Sequence, residues 1–109
     1  ICFLDSQCTI REIAGSAEKL LKRPALSMIG SPFCGLFVRE EEAKIEAALD
    51  QCRGGTPLIS KELRAKDALG GDLYLSWHLE WSESRKGFYC IGKDISAAKE
   101  LERLKAEIS

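Results

Sequence analysis

Residues 87–108 read GFYCIGKDISAAKELERLKAEI, and two kinds of secondary structure follow one another within them. From 87 to 95 the run is short, aromatic and β-branched, the composition of a buried strand. At Asp94 the character changes. Asp94 and Ser96 each offer a short side-chain oxygen that can accept from the free N–H groups of a helix's first turn. Lys99 stands three residues after Ser96, so no capping box forms. Beyond Ser96 neither Gly nor Pro interrupts the run. Ala97, Leu101, Leu104 and Ile108 then recur at heptad spacing, while Glu and Lys hold most of the other faces. The pattern predicts a last strand that passes directly into a helix with one narrow apolar stripe.

Working upstream, residues 73–83 alternate strictly. Leu73, Leu75, Trp77, Leu79 and Trp81 take one face; Tyr74, Ser76, His78, Glu80 and Ser82 take the other. Residues 58–66 predict the strand before it, joined through the Gly-containing loop 67–72. Residues 39–53 predict the longest helix, on which Ile45, Ala48, Leu49 and Cys52 share a face with Val38. Glu40, Glu41 and Glu42 suit its first turn, where the helix dipole favours acid, and read as a solvated start. Gly54, Gly55 and Pro57 stop it. Residues 1–5 and 8–13 predict two short strands around a turn at Ser6 and Gln7. A helical stretch follows with Ala14, Ala17, Leu20 and Leu21 on one face, and Pro24 ends it. Leu26, Met28 and Ile29 form a short apolar turn closed by Gly30. Two strands, several helices and three strands predict an α+β fold: a five-stranded antiparallel sheet with helices on one face and a C-terminal helix. Arg39 is expected to be exposed at the start of the long helix.

Composition narrows the function classes. A chain of 109 residues is one domain by length and can bury a core. The formal net charge is −1 without a basic block, which argues against nucleic acid as a partner, since phosphate contacts need clustered Lys and Arg. No apolar run reaches the length of a membrane span, so direct membrane contact is not expected. Cys2, Cys8, Cys34, Cys52 and Cys90 are odd in number and no pair has C-x-x-C spacing. They read as reduced thiols of a cytoplasmic protein rather than a zinc or disulfide framework. A chain that begins at Ile1 and ends within a helical run is expected to be a piece of a longer protein.

Several stretches resemble a PAS sensor domain. Gly92-Lys93-Asp94-Ile95-Ser96, followed by Lys99 and Glu102, resembles the family's ending G-R-D-I-T-x-x-K-x-x-E. Leu4-Asp5 resembles the opening V-x-D. Residues 13–30, IAGSAEKLLKRPALSMIG, are similar in register to V-N-x-A-A-x-x-L-L-G-x-x-x-x-E-L-I-G, matching at Ala17, Leu20, Leu21, Ile29 and Gly30. Glu62-Leu63-Arg64 with Lys66-Asp67 resembles E-x-R-x-x-x-K-D-G with a shorter gap, and Ser76-Trp77 resembles the aromatic strand centre. Two positions depart. Ala14 stands where Asn is common, and that Asn usually ties the helix to a neighbouring loop. Lys22 stands where Gly is common. The resemblance covers nearly the whole chain and implies residues 1–95 as the PAS domain and 96–109 as the start of a coiled-coil signalling helix.

The resemblance also implies a regulatory module without catalysis of its own. Its candidate ligand-lining residues are Leu20, Ile45, Leu49, Leu63, Leu75, Trp77 and Cys90, with core packing as the competing role for most of them. Signal transmission would run through Gly92, Asp94, Ile95, Ala97, Leu101, Leu104 and Ile108, with a homodimer formed along the helix. Residues 101–108, LERLKAEI, resemble the L-E-R-L-K-x-E-F run that leads into the phosphotransfer helix of sensor histidine kinases, which implies a kinase parent and a cytoplasmic module, even in a membrane-associated parent. PAS modules also feed cyclic-dinucleotide enzymes and transcription factors, and a passive dimerisation spacer remains an alternative. The cofactor motifs of the family are missing. Cys34 lacks the neighbours of a photoactive Cys. The long helix carries no haem-ligating His, and His78 reads as a half-exposed strand or interface residue. No Ser/His/Asp or Cys/His spacing, metal-ligand set or phosphate-cradling loop is legible.

Overall fold

The computed structural model describes residues 1–108, apart from the side chain of Ile108. Strands β1 (Cys2–Asp5) and β2 (Ile10–Ile13) lead into helices α1 (Gly15–Leu21) and α2 (Ala25–Met28). Two 3-10 turns, Phe33–Leu36 and Arg39–Glu41, precede α3 (Glu42–Arg53). Strands β3 (Leu58–Lys66), β4 (Asp72–Ser82) and β5 (Gly87–Asp94) follow, and β5 runs into α4 (Ser96–Ile108). All five strands form one antiparallel sheet in the order β2-β1-β5-β4-β3. The α+β expectation holds, and Arg39 is exposed at the start of the long helix.

The last strand thus lies at the centre of the sheet, with the first beside it. In that register Leu4 faces Phe88 and Cys2 faces Cys90, while Leu79 faces Cys90 and Trp77 faces Gly92 across β4 and β5. Period-two alternation sends Leu75, Trp77 and Leu79 to the same side as Leu4, Leu63, Ala65, Phe88 and Cys90, and all are buried. Helix α3 closes this side with Ile45, Ala48, Leu49 and Cys52, and the turn residues Phe33 and Phe37 stack edge-on against Trp77. Each fully buried Leu, Ile or Phe contributes about 1.5–3 kcal/mol. The opposite side carries Tyr74, His78, Tyr89 and Ile91, all partly or fully exposed. Gly87 is required at the start of β5, because a Cβ there would lie 2.2 Å from the Leu4 carbonyl oxygen.

One local expectation is refined and one is corrected. The apolar turn around Leu26 buries Met28 alone, with Leu26 87% exposed. A four-residue helix shows one side chain inward per turn, and Met28 holds that position. The acidic run is not uniformly solvated either. Glu40 and Glu42 are exposed, but Glu41 is only 7% exposed and lies on the face that carries Ile45 and Ala48. Lys44 Nζ lies 3.4 Å from its carboxylate and Arg64 Nε 3.9 Å.

Candidate functional site

Helix α1 is short and presents Ser16 and Ala17 to the sheet, and such small side chains leave space. A cavity of about 290 Å³ opens between α1 and the inner face of the sheet. Leu20 and Leu21 form the helix wall, Leu75 and Trp77 the floor, and Gly92 lies at the floor's edge. The Trp77 indole lies flat against the β5 backbone because Gly92 lacks a Cβ, which would come within 2.9 Å of the ring. Its Nε1–H is buried and donates to no acceptor among the described residues. A buried unpaired donor costs free energy that a suitable acceptor would recover.

The candidate lining residues separate. Leu20, Leu75 and Trp77 line this cavity. Ile45, Leu49, Leu63 and Cys90 are packed in the core cluster. Cys2, Ile13 and Leu36, which also line the cavity, were not singled out from the sequence. Alternation could not have found Cys2 or Ile13, because β1 is apolar at Cys2, Phe3 and Leu4 alike and an irregularity in the β1–β2 pairing brings both Ile10 and Ile13 opposite the inward-facing Leu4 and Cys2. Burial pushes the Cys2 thiol up to about 12, and the Cys90 thiol is pushed up for the same reason, so neither is a ready nucleophile. His78 lies on the outer face, Nε2 3.5 Å from Glu80, remote from the cavity.

The transmission residues meet at a fastened corner. Ser96 N–H donates to Asp94 Oδ1 at 2.9 Å. Among the described residues Ser96 Oγ caps no helical N–H. It accepts instead from the Tyr74 N–H of β4 at 3.0 Å. Ile95 N–H returns a bond to the Tyr74 carbonyl at 2.9 Å. One turn into α4, the Lys99 ammonium pairs with Glu62 of β3, which holds its pKa above the ordinary lysine range. Glu62 and Lys99 come from two separate sequence motifs, and the fold joins them across the sheet. Beyond this turn α4 leaves the domain. Ala97, Leu101 and Leu104 are exposed, the two leucines at 54% and 43%. Arg103 pairs with Glu100 and Glu107 on another face. The Ile108 side chain, the last of the expected seam, lies outside the described residues.

The bond expected of an Asn at position 14 is made elsewhere. Ala14 stands at the start of α1 without a side-chain cap. At the other end of α1, Leu21 accepts from the Ala68 N–H at 2.9 Å, and Lys22 Nζ lies 3.6 Å from Asp67. Asp67 Oδ1 in turn accepts from the Leu69 and Gly71 N–H groups, both at 2.8 Å. The β3–β4 loop is thereby ordered and tied to the helix.

No protein-family model and no curated protein matches the chain. Solved structures do. A domain of the sensory box sensor histidine kinase/response regulator from Geobacter sulfurreducens superposes with a TM-score of 0.75 at 15% identity, covering 85% of this chain and 80% of that one. The PAS domain of an HTR-like protein from Haloarcula marismortui superposes with a TM-score of 0.69 at 18% identity, covering 86% and 83%. By its strand order, its helices on one face of the sheet and these likenesses, the chain has the fold of a PAS domain.

Proposed function

We propose that the chain is a regulatory sensory module that passes a signal from its core to an output domain through α4. The observation that carries this reading is the corner: α4 is covalently continuous with β5, bonded to β4 through Ser96 and Tyr74, and ion-paired to β3 through Lys99. A shift of the sheet is thereby a shift of the helix. The input would be a small, largely apolar ligand between α1 and the sheet, one whose acceptor atom satisfies the Trp77 N–H. Helix α4 exposes Ala97, Leu101 and Leu104 along a heptad stripe, which supports pairing with a second copy. A two-helix seam with two registers is a bistable element that such an input can bias.

The finer reading is a histidine kinase output in two-component signalling, resting on residues 101–108 and their freedom from Gly and Pro. The domain itself would not autophosphorylate with ATP. Should no His-containing helix and ATP-binding domain follow Ser109 in the parent gene, the kinase output is wrong, and a cyclic-dinucleotide enzyme or transcription factor takes its place.

The test is Leu101→Glu with Leu104→Glu in the full-length parent. The expected outcome is loss of signal-dependent output together with weakened self-association, measured by an output assay and by analytical ultracentrifugation. Unchanged output and unchanged oligomeric state refute the transmission role.

A further inference from the structure

A second recess, separate from the α1 cavity and of about 490 Å³, lies where the β1–β2 turn meets the 3-10 turn Phe33–Leu36 beside α3. Two of the five cysteines line it, Cys8 and Cys34. They are also the two that are partly exposed, whereas Cys2, Cys52 and Cys90 are buried. Neither takes part in the cavity or the corner described above.

The backbone holds the pair together. Phe33 N–H donates to the Cys8 carbonyl at 3.0 Å, Ile10 N–H donates to the Ser31 carbonyl at 2.9 Å, and Thr9 is bridged antiparallel to Pro32. Cys8 therefore stands opposite Phe33, one residue from Cys34. Opposed residues of an antiparallel pair have Cα atoms about 4.5–5.5 Å apart, which is the spacing of Cys8 from Phe33; one further Cα step of about 3.8 Å, across the pairing direction, carries Cys34 to about 6–7 Å from Cys8. A disulfide forms over Cα separations of about 4.4–6.8 Å. The Cys8 end is also rigid. Its φ of 64° is left-handed, and the Asp5 carboxylate holds the turn by accepting from the Gln7 and Thr9 N–H groups at 2.9 and 3.0 Å.

The electrostatics of the two thiols differ. Arg53 Nη2, anchored on the Ser6 carbonyl at 2.6 Å, lies 4.0 Å from Cys8 Sγ. A guanidinium there favours the Cys8 thiolate, against Asp5 and Asp50, which disfavour it. Glu42 and Glu46 disfavour the Cys34 thiolate with no guanidinium set against them. Desolvation still leaves both thiols above the ordinary cysteine range, so exchange is slow at neutral pH and faster in mild alkali. Thiols that resist ionisation are also poor leaving groups, so the bond they form resists reduction.

We propose that Cys8 and Cys34 are a dithiol modification site that closes to a disulfide by exchange with a low-molecular-weight disulfide. The Cys8 thiolate attacks one sulfur of the small disulfide. That S–S bond breaks, a mixed disulfide forms on Cys8, and one small thiolate leaves and is protonated. The Cys34 thiolate then attacks the Cys8 sulfur and expels the second small thiol. Two protein thiols are oxidised and the small disulfide is reduced to two thiols. The product pins the β1–β2 turn to the segment that enters α3.

The test incubates the native chain with oxidised glutathione in mild alkali, followed by intact-mass analysis and peptide mapping. The expected product has lost two hydrogens, carries one Cys8–Cys34 linked peptide pair, and reverts with dithiothreitol. Cys34→Ser is expected to keep a single glutathione on Cys8. Cys8→Ser is expected to acquire glutathione on Cys34 more slowly than Cys34→Ser acquires it on Cys8, since the cationic neighbour is on the Cys8 side. A linked pair involving Cys2, Cys52 or Cys90, stable glutathione on both Cys8 and Cys34, or no modification overturns the site. Equal rates in the two variants overturn Cys8 as the attacking thiol. Circular dichroism of each variant establishes its fold, and the wild-type map alone decides the site if a variant does not fold.

Discussion

Lys22 holds a backbone that its side chain disfavours. It terminates α1 at φ 55°, ψ 39°, a left-handed position at which its N–H caps the Glu18 carbonyl. A Cβ at such a position costs about 1–2 kcal/mol, which is why Gly is usual at this end of a helix. Lys22 gives back part of that cost through its Nζ 3.6 Å from Asp67. Its side chain is 54% exposed, so the pair is screened and stabilises by no more than about 1 kcal/mol. Backbone strain and pair therefore nearly offset, with the strain the larger. Lys22→Gly is expected to raise stability by about 0.5–1 kcal/mol, read as a shift of the urea midpoint at unchanged slope. A lower midpoint would mean that the ion pair outweighs the strain.

At the scale of elements, the β3–β4 hairpin and α1 are joined through Asp67. The Gly71 N–H, then the Leu69 N–H and Lys22, hold its carboxyl below the ordinary carboxylate range. A depressed folded-state pKa adds stability that is present above the unfolded-state value and is lost as pH falls through the folded one. Asp67→Asn keeps an oxygen that accepts from both N–H groups but removes the charge. The variant is expected to be less stable than the wild type at neutral pH, with the gap narrowing below about pH 4 and closing in stronger acid. Urea midpoints across that range check it; a gap independent of pH would exclude the charge as the cause. The elements themselves were legible in the sequence. Strict alternation in 73–83 fixed which face of β4 is buried, and the run from 87 onward placed the strand-to-helix change within a residue. Side-chain roles at the joints were less legible. Ser96 reads as a cap by type, yet its hydroxyl bonds to a strand that only the folded sheet brings near. Glu41 was masked by its neighbours, although its place four residues before Ile45 puts it on the buried face. The cavity was legible only in part: Leu20, Leu75 and Trp77 were among the candidate lining residues, but a void is a property of how α1 sits over the sheet and no residue type encodes its size.

At the scale of the whole molecule, the last strand is the centre of the sheet and the first lies beside it. Leu4, fully buried, stands in register with Ile10 on one side and Phe88 on the other. The N-terminal strands therefore cannot open without exposing β5, and β5 in turn holds Trp77 and Trp81 of β4 in register. Such long-range pairing makes the sheet and α3 one cooperative unit. Helix α4 stands outside it. After Lys99 every residue through Glu107 is exposed, and a helix of 13 residues is marginal without a partner. Leu4→Ala is expected to destabilise the sheet by about 3 kcal/mol. Tryptophan fluorescence, which reports Trp77 and Trp81, and near-ultraviolet dichroism should shift together by that amount in a single transition. Amide exchange in α4 beyond Lys99 should be fast in both proteins and unchanged by the substitution. If α4 is instead protected in the isolated chain and loses that protection with Leu4→Ala, the helix belongs to the cooperative core. A helix so held would not be free to respond to the corner at Asp94 and Ser96, and transmission would have to run through some other element.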